Sequence, residues 1–234
     1  MSTHDETVPI APGGTLRVAG RSGKVEVMGE ARADVLVERG RVASTTDEHE
    51  IAVERDSGAI RVRCPEGLSV LTGTDSGRVR LRGRLGRCRV TTASGNIDVD
   101  ASSDLDARTD SGNITVVDSN GTCRCQTGSG TLQVGRARDV DLVTGSGNVT
   151  ARVVNGARVR AGSGTVVVEL DDIGDIDIDI EVHSGNARVS VPRDARPALD
   201  LEARSGTVRS SLTAGTNGRI RVRAGSGNIT IEAR

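Results

Sequence analysis

The sequence predicts an all-β chain wound as a single-stranded parallel β-helix, a β-solenoid of about ten to eleven coils. Three observations predict it. A Ser-Gly pair returns eleven times between Ser22 and Ser226, at steps of 17 to 21 residues after a first gap of 35. Aliphatic residues keep fixed places around every pair. Phe, Trp and Tyr are absent, so Val, Ile, Leu, Ala and Cys must fill the interior, which suits a thin and repetitive core.

Three residues after each serine stands an apolar residue, from Val25 and Ile60 through Ile97, Ile114 and Leu132 to Ile229. Six before it stand Leu16, Ile51, Val70, Cys88, Leu105, Cys123 and their successors as far as Ile220. Within each half the apolar spacing is two, the period of a strand. A column that recurs at a fixed period marks coils stacked one on another, each covering its neighbour. Helix is excluded because period-two alternation would put Val and Ile on every side and glycine recurs too often.

Each repeat thus reads as strand, corner, strand and loop. The corners are Ser94-Gly95, Ser111-Gly112, Ser129-Gly130, Ser146-Gly147 and Ser163-Gly164, with their equivalents before and after. Glycine supplies the backbone angles a bend needs. The serine is expected to face inward and to bond the backbone of the next coil. Beyond it, Asn96, Asn113, Asn148, Asn186 and Asn228 interleave with Thr131, Thr165 and Thr207, a ladder that can hydrogen-bond along the stack.

In chain order, residues 1–7 read as a tail and residues 8–234 as one solenoid domain. Within it, 8–56 form an irregular N-terminal cap and 57–234 the regular Ser-Gly coils. The chain ends on a regular strand, so Ile229 and Ile231 are expected to form an open edge for association.

The outward residues are charged, and 31 basic side chains nearly balance 32 acidic ones, so no overall field favours nucleic acid or an anionic membrane. Five before successive serines stand Arg89, Asp106, Arg124, Asp141, Arg158, Asp179, Asp200 and Arg221. Opposite charges one coil apart attract. Asp175, Asp177, Asp179 and Glu181 form an outward acidic row, a weak candidate for a cation. Arg61, Arg63, Arg80 and Arg82, with Arg78, Arg84, Arg87 and Arg89 nearby, form its basic counterpart.

Catalytic chemistry is not announced. Eleven equivalent serines meet only His4, His49 and His183, and a nucleophile needs a base and an orienting acid. The Gly-Ser-Gly runs at 128–130, 145–147, 162–164 and 225–227 lack the third glycine or the lysine of a nucleotide loop. Cys123-x-Cys125 suggests zinc, but both residues fall in columns otherwise aliphatic. No catalytic residue, cofactor or bound metal is therefore expected. The N-terminal stretch has no basic start followed by an apolar core, and no run approaches the ~18 apolar residues of a membrane span. The four cysteines show no disulfide framework. A cytoplasmic protein without membrane insertion is expected.

The run "GGTLRVAGRSGKVEVMGE" and the repeated "SGN(I/V)" and "SGT(L/V)" corners resemble the bacterial putative-adhesin β-strand-repeat family, domain of unknown function family 4097. "NARVSVPRDARPALDLEARSGTVRSSL" is similar to that family's closing section, and the resemblance spans roughly residues 8–234. It implies a single-stranded β-helix, in some members linked to the cell envelope and its stress responses, and carries over no catalytic residue. The function expected is a non-enzymatic scaffold or interaction module, with a protein partner or self-association at the C-terminal edge. A carbohydrate-binding or carbohydrate-acting β-helix is the alternative. Binding of a polyanion or nucleic acid through the Arg61–Arg89 patch is a second alternative, although no nucleic acid is expected.

Overall fold

The protein is described by a computed structural model covering residues 5–46, 49–172 and 177–234, and it falls into two compact units that meet in sequence at Asn120 and Gly121. Among the described residues every regular element is a strand. The first unit holds β1 (Glu6–Pro9), β2 (Thr15–Ser22), β3 (Val25–Glu30), β4 (Asp34–Arg39), β5 (Arg41–Thr46), β6 (Glu50–Ser57), β7 (Ile60–Pro65), β8 (Ser69–Ser76), β9 (Val79–Ser94) and β10 (Ile97–Ser111). After β11 (Ile114–Ser129), the second unit holds β12 (Leu132–Ser146), β13 (Val149–Ser163), β14 (Val166–Leu170), β15 (Asp177–Ser184), β16 (Ala187–Val191), β17 (Ala198–Ser205), β18 (Val208–Ser210), β19 (Arg219–Ser226) and β20 (Ile229–Ala233).

The Ser-Gly pair sets these boundaries. Each of the long strands ends on its serine, and the next begins three residues later. Strands one coil apart lie parallel with serine on serine, as in Ser94 against Ser111 and Ser146 against Ser163. The glycine N–H donates to the serine carbonyl of the neighbouring coil, at 2.9 Å from Gly130 to Ser146 and 3.0 Å from Gly147 to Ser163. A register shift between Val99 and Ala101, and again after Val134, marks a second bend on the far side of the coil.

The serine itself does not face inward. Most corner serines are exposed, and the inward place is taken two residues earlier by Thr92, Thr109, Thr127 and Thr144, each at most 3% exposed. The glycines turn the chain at φ between 122° and 153° at Gly112, Gly130, Gly147 and Gly164. Four residues then separate the last buried position from the next, so the hydroxyl looks outward. Ser163 donates to the Ser146 hydroxyl at 3.4 Å, one rung along the stack.

The order of coils in the stack is not their order in the sequence. In the first unit β2 pairs with β6 on one side and β8 on the other, and β3 likewise lies between β7 and β9. The Ser22 coil therefore sits between those of Ser57 and Ser76. Antiparallel strands then close that end: β5 on β6, β4 on β7, and β1 on β4. In the second unit β19 lies between β15 and β17, and β20 between β16 and β18. The last coil in the sequence is the penultimate one in space.

This corrects the expected association edge. Ile229 and Ile231 are 0% and 1% exposed, and their strand is hydrogen-bonded on both sides. After β16 the chain skips one level, forms β17 and β18, and returns to fill the gap. Gly218 closes the return by accepting the Ala198 N–H at 2.9 Å. The coil left at the outside is β17–β18, where Leu199 and Leu201 are half-buried and Val208 is 42% exposed.

Candidate functional site

The corners of each unit carry ladder bonds from asparagine side chains. The Asn96 side-chain oxygen accepts the backbone N–H of Asn113 at 3.0 Å, and Asn148 accepts that of Thr165 at 3.0 Å. In the second unit Asn186 accepts from Asn228, which accepts from Thr207, both at 3.0 Å. The ladder follows the spatial order of the coils. Its geometry binds rung to rung and leaves the serines as a line of exposed hydroxyls rather than a nucleophile with its base.

The charged columns obey the same order. Asp179 lies between Arg158 and Arg221 in register, and Arg221 between Asp179 and Asp200. Glu181 lies between Arg160 and Arg223, and Arg223 faces Glu202. Ion pairs join Arg221 to Asp200 at 2.9 Å, Arg219 to Asp177 at 3.7 Å and Arg160 to Glu181 at 3.8 Å. Asp179 and Glu181 are thus matched by arginines from both sides, and Asp177 by Arg219 on one side with Gly156 on the other, while Asp175 lies outside the described residues. Among the described residues no cluster of His, Cys, Asp and Glu suits a metal ion. Each exposed pair contributes about 0.2–1 kcal/mol, so the columns set register more than stability.

The basic patch is likewise interleaved. Glu26 of the inserted coil stands in register between Arg61 and Arg80. It pairs with Lys24 at 2.8 Å, Arg61 at 3.4 Å and Arg82 at 3.6 Å. The Lys24 hydrogen bond, with the charges of Lys24, Arg61 and Arg82, holds its carboxyl below the ordinary glutamate value against the opposing effect of burial. Arg63 bonds Glu38, and Arg78 and Arg80 share Asp98 at 3.2 and 3.4 Å. Arg87 and Arg89 pair with Asp104 and Asp106 at 3.9 and 3.4 Å.

All four cysteines are buried, and none forms a disulfide among the described residues. Cys123 and Cys125 lie 3.6 Å apart in a sulfur–sulfur hydrogen bond. Burial pushes the Cys64 and Cys88 thiols from 9.0 to about 12. Raised folded-state values mean that the thiols favour folding while protonated. Their contribution is full below about 9 and is lost as pH rises towards about 12, where the unfolded chain alone ionises. We expect stability to fall over that alkaline window, and thiol reagents at neutral pH to label these two residues only on unfolding. Rapid labelling of the native protein would show that the two thiols are not in the dry interior.

His183 is exposed, one residue before Ser184, and His4 lies outside the described residues. Its column holds Gly128, Gly145, Gly162 and Gly225 in four other coils of the second unit and Arg204 in the Ser205 coil, and the side-chain-free places floor a groove of about 800 Å³. Arg160, Glu181, Arg223 and Glu202 form one wall. These glycines precede the corner serines rather than follow them. Their column one residue before the serine, filled by Arg21, Asp56, Asp75, Ala93 and Asp110 in the first unit, is the signal in the sequence.

Among the described residues no helix is long and apolar enough to cross a membrane. No curated protein matches the chain. A solved structure, a putative cell adhesion protein from Clostridium sporogenes, aligns at 12% identity over 99% of each chain with a TM-score of 0.26, which carries no argument about function. The family model Toastrack DUF4097 matches residues 82–234. That span contains the regular coils from the Ser94 corner onward, with their asparagine ladder bonds and the inserted C-terminal coil, and the chain belongs to the Toastrack DUF4097 family.

Proposed function

We propose that the chain is a non-enzymatic β-solenoid scaffold that holds a protein partner at its outermost C-terminal coil. One observation carries the reading. The first unit ends under antiparallel strands, whereas the second ends in a parallel coil that leaves Leu199, Leu201 and Val208 partly open. A solenoid end without a cap exposes apolar side chains and strand edges that a partner can cover. The charged columns support a scaffold because their charges are spent between rungs. The four buried thiols, none of them in a disulfide, support a reducing, cytoplasmic compartment.

The test compares wild type with Val208→Asp in capture from the native host and in sedimentation over a range of concentrations. Loss of a captured partner, or of self-association, in the variant alone is the expected result. Equal capture by both proteins, or none by either, contradicts the reading. The groove of the second unit favours the carbohydrate alternative, and a glycan array that bound wild type but not His183→Glu would replace the first reading.

A further inference from the structure

We propose that the open edge of β17 docks an extended segment of a protein partner in which basic and aliphatic residues alternate. The inference rests on the scaffold reading and names the chemistry of its partner.

The edge is built to stay formed. Among the described residues β17 pairs only with β19, in unbroken register from Ala198 against Arg219 to Ser205 against Ser226. A strand at the end of a chain frays from its free terminus. β17–β18 is instead held at both ends by the chain, through its links to β16 and β19. The span contains neither proline nor bulge, two of the usual devices against strand addition. Backbone groups on its outer side are free to accept another strand, the mode of many peptide-binding sheets.

The side chains specify which strand. Five residues before the serine the rungs run Arg158, Asp179, Arg221, Asp200; three before, they run Arg160, Glu181, Arg223, Glu202. Both columns alternate in sign and both stop on a carboxylate, so the next rung in each is basic. The inward places are Leu201 between them and Leu199 beside Asp200, whose uncovered sides call for aliphatic neighbours. The pattern required is basic, aliphatic, basic. β17 already accepts it on its inner side, where Arg219-Ile220-Arg221-Val222-Arg223 lies in register. The partner is chemically a second β19, and this chain's own β19 is unavailable because both of its edges are used.

The test titrates the full chain with a capped peptide, Val-Arg-Ile-Arg-Val-Arg-Val. Controls are the same peptide with Glu for Arg and a scramble that breaks the alternation. The basic alternating peptide is expected to bind about tenfold or more tightly than either control and to weaken with salt. Asp200→Asn with Glu202→Gln, both at exposed positions, is expected to lower that affinity by about tenfold while the melting temperature falls by no more than a few degrees through the lost pairs to Arg221 and Arg223. Hydrogen exchange should slow at β17 and not at β1 or β5. No binding, equal binding by the double variant, or protection elsewhere would overturn the inference. A native partner that binds wild type and the double variant alike, yet is lost with Val208→Asp, would also overturn it while leaving the scaffold reading standing.

Discussion

Gly147→Val is expected to destabilise the second unit by at least about 3 kcal/mol, the range of strained-backbone and overpacking changes. Gly147 sits at φ 147°, which side chains rarely adopt. A Cβ there would overlap the Gly130 carbonyl oxygen, a backbone atom that cannot swing aside. Nor can the corner retreat, because the Gly147 N–H is bonded to Ser163 at 3.0 Å. Relief would break the rung on both sides. Urea melts should show the loss, with Thr150→Val, at an exposed position three residues away, within about 0.5 kcal/mol of wild type. A variant that melts with wild type would remove the corner from the account.

The second large effect concerns the inserted coil. Ending the chain at Asn217 removes β19 and β20, which hold β15 to β17 and β16 to β18. In a solenoid wound in sequence order, the loss would shorten the stack by one coil and leave the rest intact. Here it removes a middle rung. Leu199 and Leu201 lose their cover from Ile220 and Val222, both fully buried in the native chain. Ile178 and Ile180 are bared on the other side. The truncated chain is expected to lose the strand signal and exchange protection of β17–β18 as well as the deleted residues. Protection retained at β17 would contradict the insertion.

Much of the fold was legible because aliphatic columns and glycine corners are local properties. Spacing alone places Val25, Ile97, Leu132 and Ile229 in one buried column, and all are at most 2% exposed. The serine's direction was not legible. It depends on φ at the glycine, and period-two counting cannot say where two outward residues follow one another. The order of the terminal coils was harder still, since neighbours in a stack need not be neighbours in sequence. The signal was nonetheless present in the charges. In sequence order Asp179 is followed by Asp200, and Arg61 by Arg80, each an unfavourable like-charge neighbour. Inserting the Ser226 coil puts Arg221 between the two aspartates. Inserting the Ser22 coil puts Glu26 between the two arginines. The open coil followed from that order, so Leu199, Leu201 and Val208 were missed while Ile229 and Ile231 were chosen.

The most direct test of this winding is disulfide trapping at the column five before the serine. Strand neighbours lie near 4.8 Å, within reach of a disulfide, whereas two rungs span roughly 10 Å and are beyond it. Cysteine pairs at 179 with 221 and at 221 with 200 are expected to cross-link, and the pair at 179 with 200 is not. Efficient closure between 179 and 200, with none to 221, would mean the coils follow sequence order and would contradict the fold described.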